Sequence, residues 1–158
     1  MGENKKRIKL LFLDNFSLNT INKIKEYNIE DIDYINISSN FECKNNDITN
    51  ISFNKISNDN RLSDIIEDAK IVFITVDLGD NHKKLRDAMR IIVALCKEYN
   101  TPIIYIGSNP FGFEGKIRNK NADIVRKNLK DNNYLSIIFN NDMLLKNANK
   151  NEIVGESR

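Results

Sequence analysis

The chain has 158 residues, 41% of them hydrophobic and 29% charged, which is the composition of one folded globular domain and excludes a disordered segment. Lys+Arg 24 against Asp+Glu 22 leaves a net charge of +2, too small to argue for nucleic acid or a membrane surface as partner. No apolar run approaches the roughly 18 residues of a membrane span, no apolar stretch of signal-peptide length follows the basic start MGENKKRIKL, and one His with two Cys excludes an ordinary zinc site.

In chain order, residues 8–13 (IKLLFL) form a short apolar run that suits a buried strand. Asp14, Asn15 and Ser17 follow, all residue types that cap helix N-termini, and Leu18, Ile21 and Ile24 recur at helical spacing to about Tyr27. Residues 33–37 (DYINI) alternate and read as a second strand. The Asn-rich stretch 38–60 reads as loops with one short strand near 51–53. A short helix is expected over 62–68, and 71–76 (IVFITV) is the plainest strand pattern in the chain. Residues 77–81 (DLGDN) make a turn. Leu85, Ala88, Met89, Ile92, Val93 and Cys96 then line one side of a long helix ending near Tyr99, and Pro102 stops it. A strand over 103–106, a loop over 108–112, a helix over 117–131 with Ile117, Ile124 and Leu129 inward, and a strand over 134–139 complete the pattern, with a polar tail from Lys146. Strands separated by helices of this length predict an α/β fold: a three-layer, Rossmann-like parallel sheet with helices on both faces. Ligands of such sheets sit beyond the C-terminal strand ends, here residues 14–17, 38–40, 77–84 and 108–115. Cys43 and Cys96 suit a reducing cytoplasm without a disulfide framework.

Three segments taken together carry a resemblance. VFIT at 72–75, PFGFEGKIRNKNA at 110–122 and FNNDMLL at 139–145 resemble, in this order, the VFITAG, PFxFEGxxRxxxA and PNDxLL patterns of FtsZ, the bacterial cell-division GTPase of the tubulin-like family. IKLLFLDNFSLNTINKI at 8–24 is similar in register to the family's IKVIGVGGGGNNAVNRM, with Asn19 and Asn22 retained. The resemblance implies an N-terminal FtsZ domain over 1–145, a polar tail over 146–158, and no counterpart within the chain to the family's central helix and C-terminal domain. It also implies which residues would meet a guanine nucleotide. Glu114 and Arg118 would reach ribose and phosphate, Asn141 the base, with Asn19, Lys83 and Lys84 nearby.

The same alignment marks departures in the phosphate loops. Where the family has GGGG, this chain has Asp14, Asn15, Phe16 and Ser17; where it has GGGTGTG, residues 78–84 read LGDNHKK after Asp77, leaving Gly79 among Asp77 and Asp80. Glycines serve there because bare N–H groups approach phosphate closely and positive φ costs nothing. Two like charges 4 Å apart repel by about 4 kcal/mol at an effective dielectric of ~20, nearly a thousandfold in affinity. Ser38, Ser39 and Asn40 stand for the family's NTD.

Each residue also has a simpler reading. Asp14 is a helix cap and His82 a solvated loop side chain. Lys83, Lys84 and Arg86 form a solvated helix face, or a remnant anion site. Glu114 and Arg118 form an i,i+4 ion pair, or a retained clamp. Phe111 and Phe113 anchor their loop in the core, Cys96 is packing, and Asn141 caps a short helix. The expectation is a degenerate FtsZ-like domain: a bacterial, cytoplasmic pseudo-GTPase without metal or cofactor, acting as a protein-binding regulator of cell division or of an FtsZ-type filament, or self-associating. Docking of a lone N-terminal domain would cap a filament end. The alternative is a module that keeps weak GTP or GDP binding.

Overall fold

The computed structural model describes residues 6–13, 25–27, 29–38, 47–53, 56, 60–80 and 82–140. Six strands, β1 (Arg7–Leu13), β2 (Ile32–Ser38), β3 (Ile48–Ser52), β4 (Ala69–Asp77), β5 (Ile103–Asn109) and β6 (Leu135–Asn140), lie in the order β3-β2-β1-β4-β5-β6. Every neighbouring pair is parallel. Three described helices, α1 (Asn60–Glu67), α2 (Lys83–Glu98) and α3 (Lys116–Asp131), connect strands, and a short 3-10 turn spans Gly112–Glu114.

The two central strands are the most apolar, as strands covered on both faces must be. In β1, Leu10, Leu11, Phe12 and Leu13 are all buried. Their side chains alternate between faces. Leu11 and Leu13 join Ile35, Ile37 and Ile74 in the larger core, which also takes Leu62 and Ile66 of α1, Leu85 and Ile92 of α2, and Leu129 of α3. Leu10 and Phe12 join Tyr34 and Ile48 in a smaller cluster on the opposite face. Burying a side chain of this size stabilises by roughly 1.5–3 kcal/mol. The one polar group in the middle of β4, the Thr75 hydroxyl, donates to the Leu11 carbonyl at 2.9 Å, so it is satisfied within the sheet.

Both long helices end the same way. Asn100 after α2 and Asn133 after α3 have φ of 56° and 58°, and the next residue's N–H reaches back to Cys96 O at 2.8 Å and Leu129 O at 3.0 Å respectively. Asparagine tolerates this left-handed position better than most side chains, and the bonds satisfy carbonyls that the helix leaves open. Each ending turns the chain into the following strand.

At this same end of the sheet, where the strands begin, the buried Lys9 ammonium pairs with Asp33 and, at 2.9 Å, with Asp68, while Arg7 Nε donates to Asp33 at 2.8 Å. Partial burial pushes the Asp33 carboxyl up, but the bonds from Lys9 and Arg7 outweigh it and hold it below the usual range.

Several boundaries move from their expected places. β3 lies at 48–52, upstream of 51–53, and β5 continues through Gly107, Ser108 and Asn109 because these residues keep pairing with β6. On α3, Ile117 is 77% exposed and Ile124 is also exposed, whereas Ala122 and Leu129 are buried with Val125 packed beside them. Residues 122, 125 and 129 share a helical face by their i, i+3, i+7 spacing; 117 and 124 fall on another. β6 forms one edge of the sheet and leaves Leu135, Ile137 and Phe139 exposed. The helix expected over 18–27 and the tail from 146 fall largely or wholly outside the described residues. No described helix is long and apolar enough to cross a membrane.

Candidate functional site

At its C-terminal end β4 stops on Asp77, beside Ser108 of β5. The Leu78 N–H donates to Ser108 O at 2.9 Å, and the Gly79 N–H donates to Asp77 Oδ1 at 2.8 Å, closing a turn on the Asp77 side chain. From the first turn of α3, Arg118 reaches over this turn. Its Nη2 donates to Asp77 Oδ2 at 2.6 Å, Nη1 to Asp80 Oδ1 at 2.8 Å, and Nε to Glu114 Oε1 at 2.9 Å. The second oxygen of Glu114 accepts from the Phe111 N–H at 2.6 Å, and Asn121 Nδ2 donates to Gly79 O at 3.1 Å.

Two glycines make this arrangement possible. A Cβ on Gly79 would lie 2.7 Å from Arg118 Nη2 and 2.8 Å from its Cζ, so the guanidinium occupies the space a side chain would need. Gly115, with φ of 103°, opens α3 from a backbone conformation that L-residues avoid.

Three carboxylates (Asp77, Asp80, Glu114) against one guanidinium (Arg118) leave a formal charge of −2. The hydrogen bond to Asp80 raises the Arg118 pKa further, so this cation never discharges. The Asp77 carboxyl is pushed up, first by burial and then by Asp80, against the opposing pull of the Gly79 N–H and Arg118.

The structure thus gathers Glu114, Arg118, Asp77, Gly79 and Asp80 into one cluster. The i,i+4 pair of Glu114 and Arg118 is present, but as one arm of a four-residue network. Lys83 and Lys84 stand exposed in the first turn of α2 and make no ion pair among the described residues. His82 is exposed, yet it is not a bare loop residue. It caps α2, its Nδ1 accepting from the Leu85 N–H at 3.2 Å, with its ring 6.0 Å from that of Phe53. Phe111 and Phe113 are not core anchors: Phe113 is 75% exposed, and the two rings stack on each other at 4.9 Å. Cys96 is buried, and burial pushes its thiol up to about 12. Asp14, Ser17, Asn19 and Asn141 lie outside the described residues, as do Ser39 and Asn40. Asn121 was not singled out from sequence, and nothing local marks it, because its partner Gly79 is brought near only by the β4–α3 packing.

No family model matches the chain, and no curated protein matches it. Solved structures do. A tryptophan-to-tyrosine mutant of FtsZ from M. jannaschii superposes with a TM-score of 0.67 at 19% identity, covering 90% of this chain and 48% of that one. The fold is that of FtsZ. An empty FtsZ dimer from M. jannaschii agrees, with a TM-score of 0.66, 19% identity, and coverage of 98% of this chain and 49% of that one. The chain therefore spans about half the length of the FtsZ chains it matches, and at this identity the likeness is one of fold. The six-stranded parallel sheet of tubulin/FtsZ type is the architecture implied by the motifs at 72–75 and 110–122.

Proposed function

We propose that this chain is an FtsZ-like domain that does not hydrolyse GTP and that works by binding protein, as a regulator of cell division acting on an FtsZ-type filament. One observation carries the reading. Arg118, the counterpart of the family's phosphate-reaching arginine, is held by Asp77, Asp80 and Glu114 at 2.6, 2.8 and 2.9 Å. A phosphate taking this guanidinium would displace charge-assisted bonds and then face the carboxylates left behind. At 4 Å and an effective dielectric of ~20, each such encounter costs about 4 kcal/mol. Glycines that would offer bare N–H groups are replaced by Asp77 and Asp80, and the His82 ring takes the Leu85 N–H at the α2 N-terminus, a donor an anion would use there. In FtsZ filaments the nucleotide face of one subunit meets the next subunit, so the face bearing Arg118 is the one assigned to the protein partner.

Calorimetry with GTP and GDP, with and without Mg²⁺, tests the first half. The reading expects no binding tighter than about 10 μM, or ~7 kcal/mol. Tighter binding overturns it in favour of the second reading, a module that keeps GTP or GDP through the exposed Lys83 and Lys84. Sedimentation and GTPase rate of FtsZ with stoichiometric amounts of this chain test the second half. If both stay unchanged, an FtsZ-type filament is not the partner.

A further inference from the structure

Between α2 and α3 lies a cavity of about 180 Å³. Asp77 and Asp80 border the end nearest the Arg118 cluster and Arg86, which has an interaction of its own, lies on the rim, but most of the wall is apolar: Leu78, Leu85, Met89, Val125 and Leu129, with the exposed Asn128 and Asn132 at the mouth. Tyr105 of β5 also lines it. This side chain is 2% exposed, and its hydroxyl makes no hydrogen bond among the described residues. Burial pushes that hydroxyl far above the ordinary tyrosine range, so it stays neutral. The hydroxyl is not sealed in the core, and at the cavity wall an occupant's polar atom can reach it.

We propose that this cavity binds a small uncharged aromatic molecule of one or two rings, its ring among Leu85, Val125 and Leu129 and its single polar atom at the Tyr105 hydroxyl. Size, polarity and the Tyr105 hydroxyl each constrain the occupant. An apolar cavity of about 150 Å³ takes benzene, so this one, at about 180 Å³ and open at its mouth, has room for a single ring or a compact fused pair. Leucine, valine and methionine make most of the wall and disfavour a charge among them, and the charged groups at the border, Asp77, Asp80 and Arg86, all have partners within the protein. Asp77 and Asp80 at one end repel an anion and are already bonded to Arg118. A water molecule would want two to four polar partners, and along these walls it meets mostly methyl groups. The site adjoins the guanidinium network through Asp77 and Asp80, but the proposal does not depend on whether a nucleotide binds there.

The probes are indole and, as a ring without a polar atom, benzene. Each is titrated into the full chain while the methyl resonances of Leu85, Met89, Val125 and Leu129 are followed by NMR. Indole is expected to shift these methyls saturably, with benzene binding about tenfold more weakly for want of one hydrogen bond. Tyr105→Phe should bring indole down to the affinity of benzene and leave benzene unchanged. Val125→Phe should fill the cavity and abolish both; if it does not fold, Met89→Trp blocks the same wall. The absence of saturable shifts with either probe overturns the proposal, and so does indole binding that Tyr105→Phe leaves intact.

Discussion

Arg118→Met keeps the stem of the side chain and removes its charge, so it isolates the guanidinium network. Three charge-assisted bonds go at once, at 2.6, 2.8 and 2.9 Å. Taken at roughly 1.5–3 kcal/mol each they would overstate the loss, because Arg118 is 32% exposed and water screens part of the network. Asp80, at 8% exposed, gains little of that relief. Stranding carboxylates in a site of this depth costs about 2–4 kcal/mol, which for a domain of this size lowers Tm by about 5–12 °C. The pH dependence is diagnostic. Asp77 already sits above its ordinary range through burial and Asp80, with Arg118 opposing the rise; removing Arg118 raises it further. A carboxyl with a raised folded pKa takes up protons in the folded state first, so its destabilisation is full above the folded pKa and eases as pH falls through it toward the unfolded value. Urea unfolding of both proteins from pH 7 down through the carboxylate range should therefore show the deficit of the variant shrinking toward acid. A variant within about 0.5 kcal/mol of wild type at pH 7, or a deficit constant with pH, would refute the view that Arg118 is committed to its carboxylates.

Gly79→Ala should displace the guanidinium, since the new Cβ falls 2.7 Å from Nη2; an overpacking cost of about 1–3 kcal/mol is expected by urea denaturation, and it should largely vanish in an Arg118→Met background. His82→Ala removes the cap of α2 and should cost about 1 kcal/mol, while His82→Asp, which can accept the same N–H, should restore it. The buried Cys96 thiol, pushed up to about 12, should react with a disulfide reagent only as fast as the protein opens; rapid labelling of that residue under native conditions would contradict its packing.

What the sequence disclosed followed the range of the interactions concerned. The run 71–76 and the recurrence of Leu85, Ala88, Ile92 and Cys96 are local patterns, and β4 and α2 appear where those patterns lie. Strand ends were less legible, because the β5–β6 ladder runs on through Ser108 and Asn109, which carry no strand preference of their own. Ile117 and Ile124 misled because an apolar residue on an exposed face looks the same in sequence as one in the core. In the candidate site, Glu114 and Arg118 could be paired from their spacing. Asp77 and Asp80 could not be assigned to the same arginine. Those contacts join residues about forty positions apart, and only the parallel placement of β4, β5 and α3 brings them together. The surviving Gly79 likewise looked like a relic of a phosphate loop, whereas here it clears space for a guanidinium.

The position of β1 has a consequence for synthesis. This strand precedes the other five described strands along the chain, yet it lies in the middle of the sheet, with Leu10 opposite Tyr34 on one side and Phe73 on the other. Until β4 has been made, the β1 edge destined for it holds unsatisfied amides and carbonyls next to leucine and phenylalanine side chains. The nascent chain therefore carries an adhesive flank from the synthesis of β1 to that of β4, and a pause between them would lengthen that exposure more than a pause after residue 77.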